Sequence, residues 1–165
     1  MEIKLTLRVN NRQHEIHTDP ATPLLYVLRN ELLLNGPKYG CGTEQCGSCM
    51  VLIDDYAMPS CRVPVSSIAD RSITTLKGLA GADGSLHPVQ QAFIDEEAAQ
   101  CGYCLNGMVI SAVSLLRRYK MPDTDTIRNE MQRNLCRCGV QPRVIKAIQR
   151  AATYSKPGTS ENIDK

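Results

Sequence analysis

The chain has 165 residues, 22% of them charged, and a formal net charge of +2. That length suits one large or two small globular units, and so small and dispersed a charge excludes neither solubility nor a protein partner while arguing against nucleic acid or an anionic membrane surface. One Phe, six Tyr and no Trp leave few large aromatic side chains for a core, so metal centres would support the fold as well as any function.

The longest apolar run, Met108 to Leu116, carries Ser111 and Ser114 and falls far short of the roughly 20 residues of a spanning helix. No direct membrane insertion is expected. The N-terminus shows no basic region, apolar run and cleavage site, so no secretory signal of its own is expected. Cytoplasmic residence follows, or membrane-associated or periplasmic residence through a partner subunit.

In chain order, Ile3, Leu5, Leu7 and Val9 alternate like a strand, Asn10-Asn11 offers a turn, and Gln13 to His17 returns, which predicts a hairpin. Thr22-Pro23 predicts a helix start, with Thr22 as N-cap and Leu24, Leu25, Leu28 and Leu32 as its buried stripe, ending near Asn35-Gly36-Pro37. A glycine-rich loop follows. Met50 to Ile53 and Tyr56 to Cys61 predict two further strands about Asp54-Asp55, and Ile73 to Leu76 an edge strand. From Gly78 to Ser85 the composition turns to Gly, Ala, Asp and Ser, the mark of a linker. Beyond it the periodicity is helical, with segments over Val89 to Glu97, Cys104 to Tyr119, after Pro122-Asp123, and Pro142 to Tyr154. The expected organisation is α+β: a sheet domain over 1–77, a linker over 78–85, a four-helix domain over 86–154 and a polar, mobile tail over 155–165.

All 8 cysteines fall into two quartets. Cys41, Cys46, Cys49 and Cys61 read C-x4-C-x2-C with a fourth cysteine further on, the spacing of the plant-type ferredoxin loop that ligates a 2Fe-2S cluster. Three ligands come from one tight loop and Cys61 from the returning strand. The glycines around them let the backbone wrap closely and aim N–H groups at sulfur. Without a secretory signal, thiols kept reduced favour metal ligation over disulfides. The second quartet, Cys101, Cys104, Cys136 and Cys138, precedes two helices, where unpaired N–H groups and the dipole favour thiolates. Its spacing alone admits a zinc site, a redox pair or a second cluster.

Three motifs together, Gly40-Cys41-Gly42 to Cys49, Gln100-Cys101-Gly102-Tyr103-Cys104 and Asn134-Leu135-Cys136-Arg137-Cys138-Gly139, resemble the small iron-sulfur subunit of the xanthine dehydrogenase family of molybdenum hydroxylases, over residues 1 to about 154. The resemblance implies a β-grasp ferredoxin-like domain and a four-helix domain with one 2Fe-2S cluster each. It further implies a large partner subunit carrying molybdopterin cytosine dinucleotide, with Gln100 and Cys138 contacting its pterin end and the first cluster facing the acceptor. Family members often have Thr-Gly after the last cysteine, whereas here Gly139-Val140-Gln141-Pro142 follows. That variant, with the stretches Leu34 to Gly40 and His87 to Glu96, is similar to the two-subunit branch that oxidises nicotinate, isoquinoline and related N-heteroaromatics and passes electrons to a cytochrome c domain or subunit. On this reading the chain is an oxidoreductase subunit with no catalytic residue of its own. The alternatives are a free-standing 2Fe-2S carrier, a subunit of a purine-, aldehyde- or CO-oxidising relative, and a zinc-stabilised interaction module. The cysteine count leaves His14, His17 and His87 unneeded as metal ligands; His14 and His17 are expected to have surface or packing roles, Tyr39 and Tyr103 to shield the ligand loops, and Met108 to pack. Arg137 reads equally as a charge tuning the centre and as a salt-bridge partner at a subunit interface.

Overall fold

The computed structural model describes residues 1–154, and the tail expected over 155–165 lies outside them. Strands β1 (Ile3–Val9) and β2 (Arg12–Thr18) form the predicted antiparallel hairpin, its turn made by Asn10 and Asn11 at φ of 51° and 62°. Asn tolerates this left-handed backbone better than most residues. Strands β3 (Met50–Ile53) and β4 (Tyr56–Pro59) form a second hairpin.

The short β5 (Ser72–Thr74) lies at the centre of the sheet, whose order is β2-β1-β5-β3-β4. It runs parallel to β1 through Val9 and Ile73 and antiparallel to β3 through Ile53 and Ile73. The residue pattern alone predicts an edge position instead. Three residues with one fully buried side chain carry too little alternation to reveal two flanking partners.

The first helix also departs from expectation. Only Leu24–Tyr26 (α1) is α-helical, and the chain continues as a π-helical segment over Val27–Glu31, well short of Asn35. Pro23, not Thr22, occupies the N-cap position and no side chain caps the helix. The Thr22 hydroxyl is taken up by Thr18 at 3.1 Å. The wider winding breaks the expected leucine stripe: Leu24, Val27 and Leu28 enter the sheet's core, Leu25 turns to Cys49 and Cys61, and Leu32 is only partly buried.

The helical half has α2 (Pro88–Asp95), α3 (Leu105–Arg118), α4 (Thr124–Glu130) and α5 (Gln141–Tyr154). Helix α2 opens with a capping box between His87 and Gln90, and α4 with Asp123 accepting the Thr126 N–H at 2.7 Å. Such caps pair N–H groups that the helix itself leaves free.

The two halves meet through β3. All four of its residues are buried: Val51 and Ile53 join the core beneath α1, while Met50 and Leu52 join the core of α2, α3 and α5. Period-two alternation thus makes one strand serve two apolar cores. Helix α3, packed on β3, is buried along most of its length, with Met108 in its core as expected. Among the described residues no helix is long and apolar enough to cross a membrane.

Candidate metal centres

Between Gly40 and Met50 the backbone forms no regular element and instead directs its N–H groups at sulfur. Those of Thr43, Gln45 and Cys46 donate to Cys41 Sγ at 3.3, 3.3 and 3.4 Å, and that of Cys41 donates to Cys46 Sγ at 3.3 Å. Cys41 and Cys46 are therefore a pair. The Thr43 side chain, and after it these backbone donors, hold the Cys41 thiol down at about 6. A donor aimed at sulfur favours the thiolate, the form that binds metal.

Cys61 reaches Cys49 because the β3–β4 hairpin ends beside the loop. The N–H and hydroxyl of Ser60 both donate to the Cys49 carbonyl, at 3.2 and 2.7 Å, and the Leu25 N–H donates to the Ser60 carbonyl at 3.0 Å. The strand expected to deliver Cys61 stops at Pro59, and the turn after it places the thiol. Cys49 and Cys61 are hydrogen-bonded, packed on Leu25 and buried, and burial pushes the Cys49 thiol up to about 11.

The second quartet also forms pairs. Cys104 is the N-cap of α3 and Cys138 lies three residues before α5 begins at Gln141. The sulfurs of Cys101 and Cys138 are 3.5 Å apart, and Cys104 hydrogen-bonds Cys136. Burial, and then the neighbouring Cys136 thiol, push Cys104 up to about 12. At Cys136 burial is outweighed by the Val140 N–H and the Cys104 thiol, so its pKa falls.

The arrangement decides what the quartets fit. Two irons bridged by sulfide take two terminal thiolates each, and pairs of thiols match that need. A structural zinc site, by contrast, closes four ligands on one point. Gly40 completes the cradle, since a Cβ there would lie 2.6 Å from Cys46 Sγ. The eight thiols are thus suited to hold two 2Fe-2S clusters.

The Gln100 amide donates to the Cys138 carbonyl at 3.2 Å, bringing together the two residues singled out for pterin contact, beside an exposed Cys101. Tyr39 and Tyr103 are half-exposed, and the Tyr103 hydroxyl donates to the Tyr39 carbonyl, tying one ligand loop to the other. His14 and His17 lie on β2, at the opposite edge of the sheet from β4, and His87 caps α2. Arg137 is exposed.

Several contacts between the quartets go beyond what the cysteine spacing reveals. The Leu135 N–H, next to Cys136, donates to the Cys46 carbonyl at 3.1 Å. Buried Asn106 donates to the carbonyls of Ser48 and Met50 at 3.2 and 3.0 Å, on either side of Cys49. Gly47, at φ 74°, sits so close to the next segment that a Cβ would stand 2.5 Å from the Arg133 carbonyl oxygen. A Cβ on Gly107 of α3 would stand 2.0 Å from the Gly47 carbonyl oxygen. The glycines themselves were the available signal, because glycine in a helix interior often marks a close approach.

Residues 7–72 match the family profile of a 2Fe-2S iron-sulfur cluster binding domain, and residues 75–149 that of a [2Fe-2S] binding domain. Over 158 residues the chain is 53% identical to one of the subunits of nicotinate dehydrogenase from Pseudomonas putida, covering 95% of this chain and 100% of that one. The chain belongs to the 2Fe-2S iron-sulfur subunits of the molybdenum hydroxylase family. Its fold matches quinoline 2-oxidoreductase from Pseudomonas putida 86 at a TM-score of 0.87 and 33% identity, over 92% of this chain and 94% of that chain. Aldehyde oxidoreductase from Desulfovibrio desulfuricans matches at 0.86 and 37% identity, over 93% of this chain but 17% of that one. This iron-sulfur subunit is therefore related both to separate small subunits and to one segment of a much longer enzyme.

Proposed function

We propose that the subunit relays electrons, one at a time, from a molybdopterin cytosine dinucleotide centre in a large partner subunit to an external acceptor of the cytochrome type. The path enters at Cys101, Cys104, Cys136 and Cys138 and leaves by Cys41, Cys46, Cys49 and Cys61, in cluster-binding units spanning 86–154 and 1–77 and joined by 78–85. A 2Fe-2S cluster held by four thiolates takes up and releases one electron. The substrate is nicotinate or a related N-heteroaromatic, hydroxylated in the partner subunit with oxygen derived from water. Any membrane or periplasmic location is conferred by that partner.

The observation that carries this reading is the contact between the ligand loops, where the Leu135 N–H beside Cys136 donates to the carbonyl of Cys46 at 3.1 Å. One residue of each quartet is thereby linked through backbone and a single hydrogen bond, with no mobile side chain between them. At the entry end, Gln100 is oriented by the Cys138 carbonyl and is the residue we assign to the pterin. At the exit end, Cys41 is exposed, and the N–H groups around it stabilise negative charge on sulfur. The 53% identity to the Pseudomonas putida nicotinate dehydrogenase chain supports nicotinate as substrate.

The complex isolated from its native cells tests the proposal. About four iron and four acid-labile sulfide per chain are expected, with two distinguishable paramagnetic signals that appear when nicotinate is added anaerobically. A preparation with zinc in place of iron, or clusters that stay oxidised under nicotinate and other N-heteroaromatics, would refute it.

A further inference from the structure

The helical half holds the first ligand loop at two places. Leu135 and Asn106 both donate into its Cys46–Met50 end, where Gly47 also backs onto Gly107 and Arg133. The other end, which carries exposed Cys41, is reached by Tyr103, whose hydroxyl donates to the Tyr39 carbonyl two residues before that cysteine. A hydrogen bond tolerates a broad range of angles at an accepting carbonyl. Contacts at one end alone would therefore let the loop swing about them, and a separate contact at the other end fixes its orientation.

Tyr103 lies between Cys101 and Cys104 and faces both quartets. Its N–H donates to the Cys101 sulfur, and Gly102, at φ 78°, turns the chain back to allow this. Its side chain spans to the first loop, where Lys38 Nζ stands 6.0 Å from the ring centroid and adds a cation–π attraction at the same junction. With 49% of Tyr103 exposed, the ring gains little from burial, and its hydroxyl is the group that reaches across. What it grips is sensitive. The Cys41 N–H donates to Cys46 Sγ at 3.3 Å, and Gly40 backs so closely on that sulfur that a Cβ would stand 2.6 Å from it. A displacement of Tyr39 therefore passes to the ligand sulfurs without slack. We infer that Tyr103 is a positioning residue of the relay, a strut from the Cys101 loop to the Cys41 loop that orients the first centre against the second and keeps the Cys41 N–H on the Cys46 sulfur. The inference deepens the electron-relay reading above and rests on it. Because donors aimed at sulfur favour the more negative, reduced state, the strut raises the potential of the first centre.

Tyr103→Phe removes the hydroxyl and keeps the ring and the N–H. Tyr119→Phe, at an exposed tyrosine that closes the far end of α3, is the control. The complex is isolated from its native cells and reduced with dithionite, so the comparison does not depend on the substrate. Iron per chain, the midpoint potential of each cluster and the magnetic interaction between the two reduced clusters are measured. Loss of one hydrogen bond disfavours the held arrangement about two- to tenfold. Tyr103→Phe should therefore keep its iron, lower the potential of one cluster but not the other, and show a population with weaker magnetic interaction; Tyr119→Phe should match the wild type. Potentials and interaction equal to the wild type overturn the strut and leave the relay standing. Lower iron or a lower Tm, with both quantities unchanged in the loaded fraction, makes the bond structural only and also overturns it. Wild-type clusters that dithionite reduces, but nicotinate and other N-heteroaromatics never do, overturn the relay reading and the strut with it.

Discussion

Gly107→Ala sets helix propensity against packing. Within α3, alanine is better than glycine by about 0.8–1.0 kcal/mol, so local propensity by itself predicts a more stable protein. The tertiary structure predicts the reverse. The new Cβ would lie 2.0 Å from the Gly47 carbonyl oxygen, 2.8 Å from its carbon and 3.2 Å from Asn134 Nδ2. A carbon–oxygen contact settles at about 3.3 Å or more, so the Gly47 peptide, lying between two cysteines of the first quartet, would have to recede by about 1.3 Å. Overpacking of this kind costs about 1–3 kcal/mol. The 3.1 Å bond from the Leu135 N–H to Cys46 would be stretched or lost, at about 0.5–1.5 kcal/mol. After the propensity gain, the net is a destabilisation of about 2 kcal/mol, or a fall in Tm of about 4–8 °C. Calorimetric melting of the cluster-loaded protein measures it, and paramagnetic resonance should show an altered interaction between the two reduced centres. A variant that melts at or above the wild type with unchanged signals would refute the close approach of α3 to the ligand loop.

Asn106→Leu, at a buried site, removes both donors to the Ser48 and Met50 carbonyls. The Ser48 carbonyl keeps the Lys38 N–H at 3.0 Å, so the Met50 carbonyl is the group that loses its partner, and chemical denaturation should show a loss of about 1–3 kcal/mol. His87 caps α2 by accepting the Val89 N–H on Nδ1 at 3.2 Å, which requires a neutral ring, and burial, with the charge of Arg117 second, holds its pKa below 6.5. A base lowered in the fold contributes stability fully above its unfolded value, and that contribution fades as pH falls through the folded value. His87→Asn keeps a cap and should flatten this acid dependence of Tm; an unchanged profile would place the dependence elsewhere. In the metal-free chain, alkylation at neutral pH should modify Cys41, held down at about 6, well before Cys49 and Cys104, raised by burial to about 11 and about 12. Raised thiols contribute stability below their unfolded value and lose it above, so the metal-free fold should weaken as pH rises past 9.0. Mass-resolved labelling and melts across that range check both.

The cysteine spacing, the alternation of β1 and β2 and the periodicity of α2 to α5 are local properties, which is why they were legible from residue order. Turn chemistry at Asn10-Asn11 belongs to the same class, since it is settled within a few residues, whereas the caps at His87 and Asp123 emerged only from the structure. The failures share a cause. Whether β5 is central or at an edge depends on Val9 and Ile53, which pair with Ile73 from far along the chain. The π-helical turn after α1 lets Leu25 pack on the Cys49 and Cys61 thiols, a demand no leucine spacing records.

By itself the sequence determined how many thiols there are, how they divide into quartets and which loops carry them, because those depend on chain connectivity. The tertiary structure decided how the thiols pair, that β3 serves two cores, and that Leu135 and Asn106, from two other segments, lock the loop carrying Cys46 and Cys49 in place. Most of these relations are contacts between residues distant in sequence, set by close packing and by hydrogen bonds between buried groups. Neither requirement leaves a periodic trace in the order of residues.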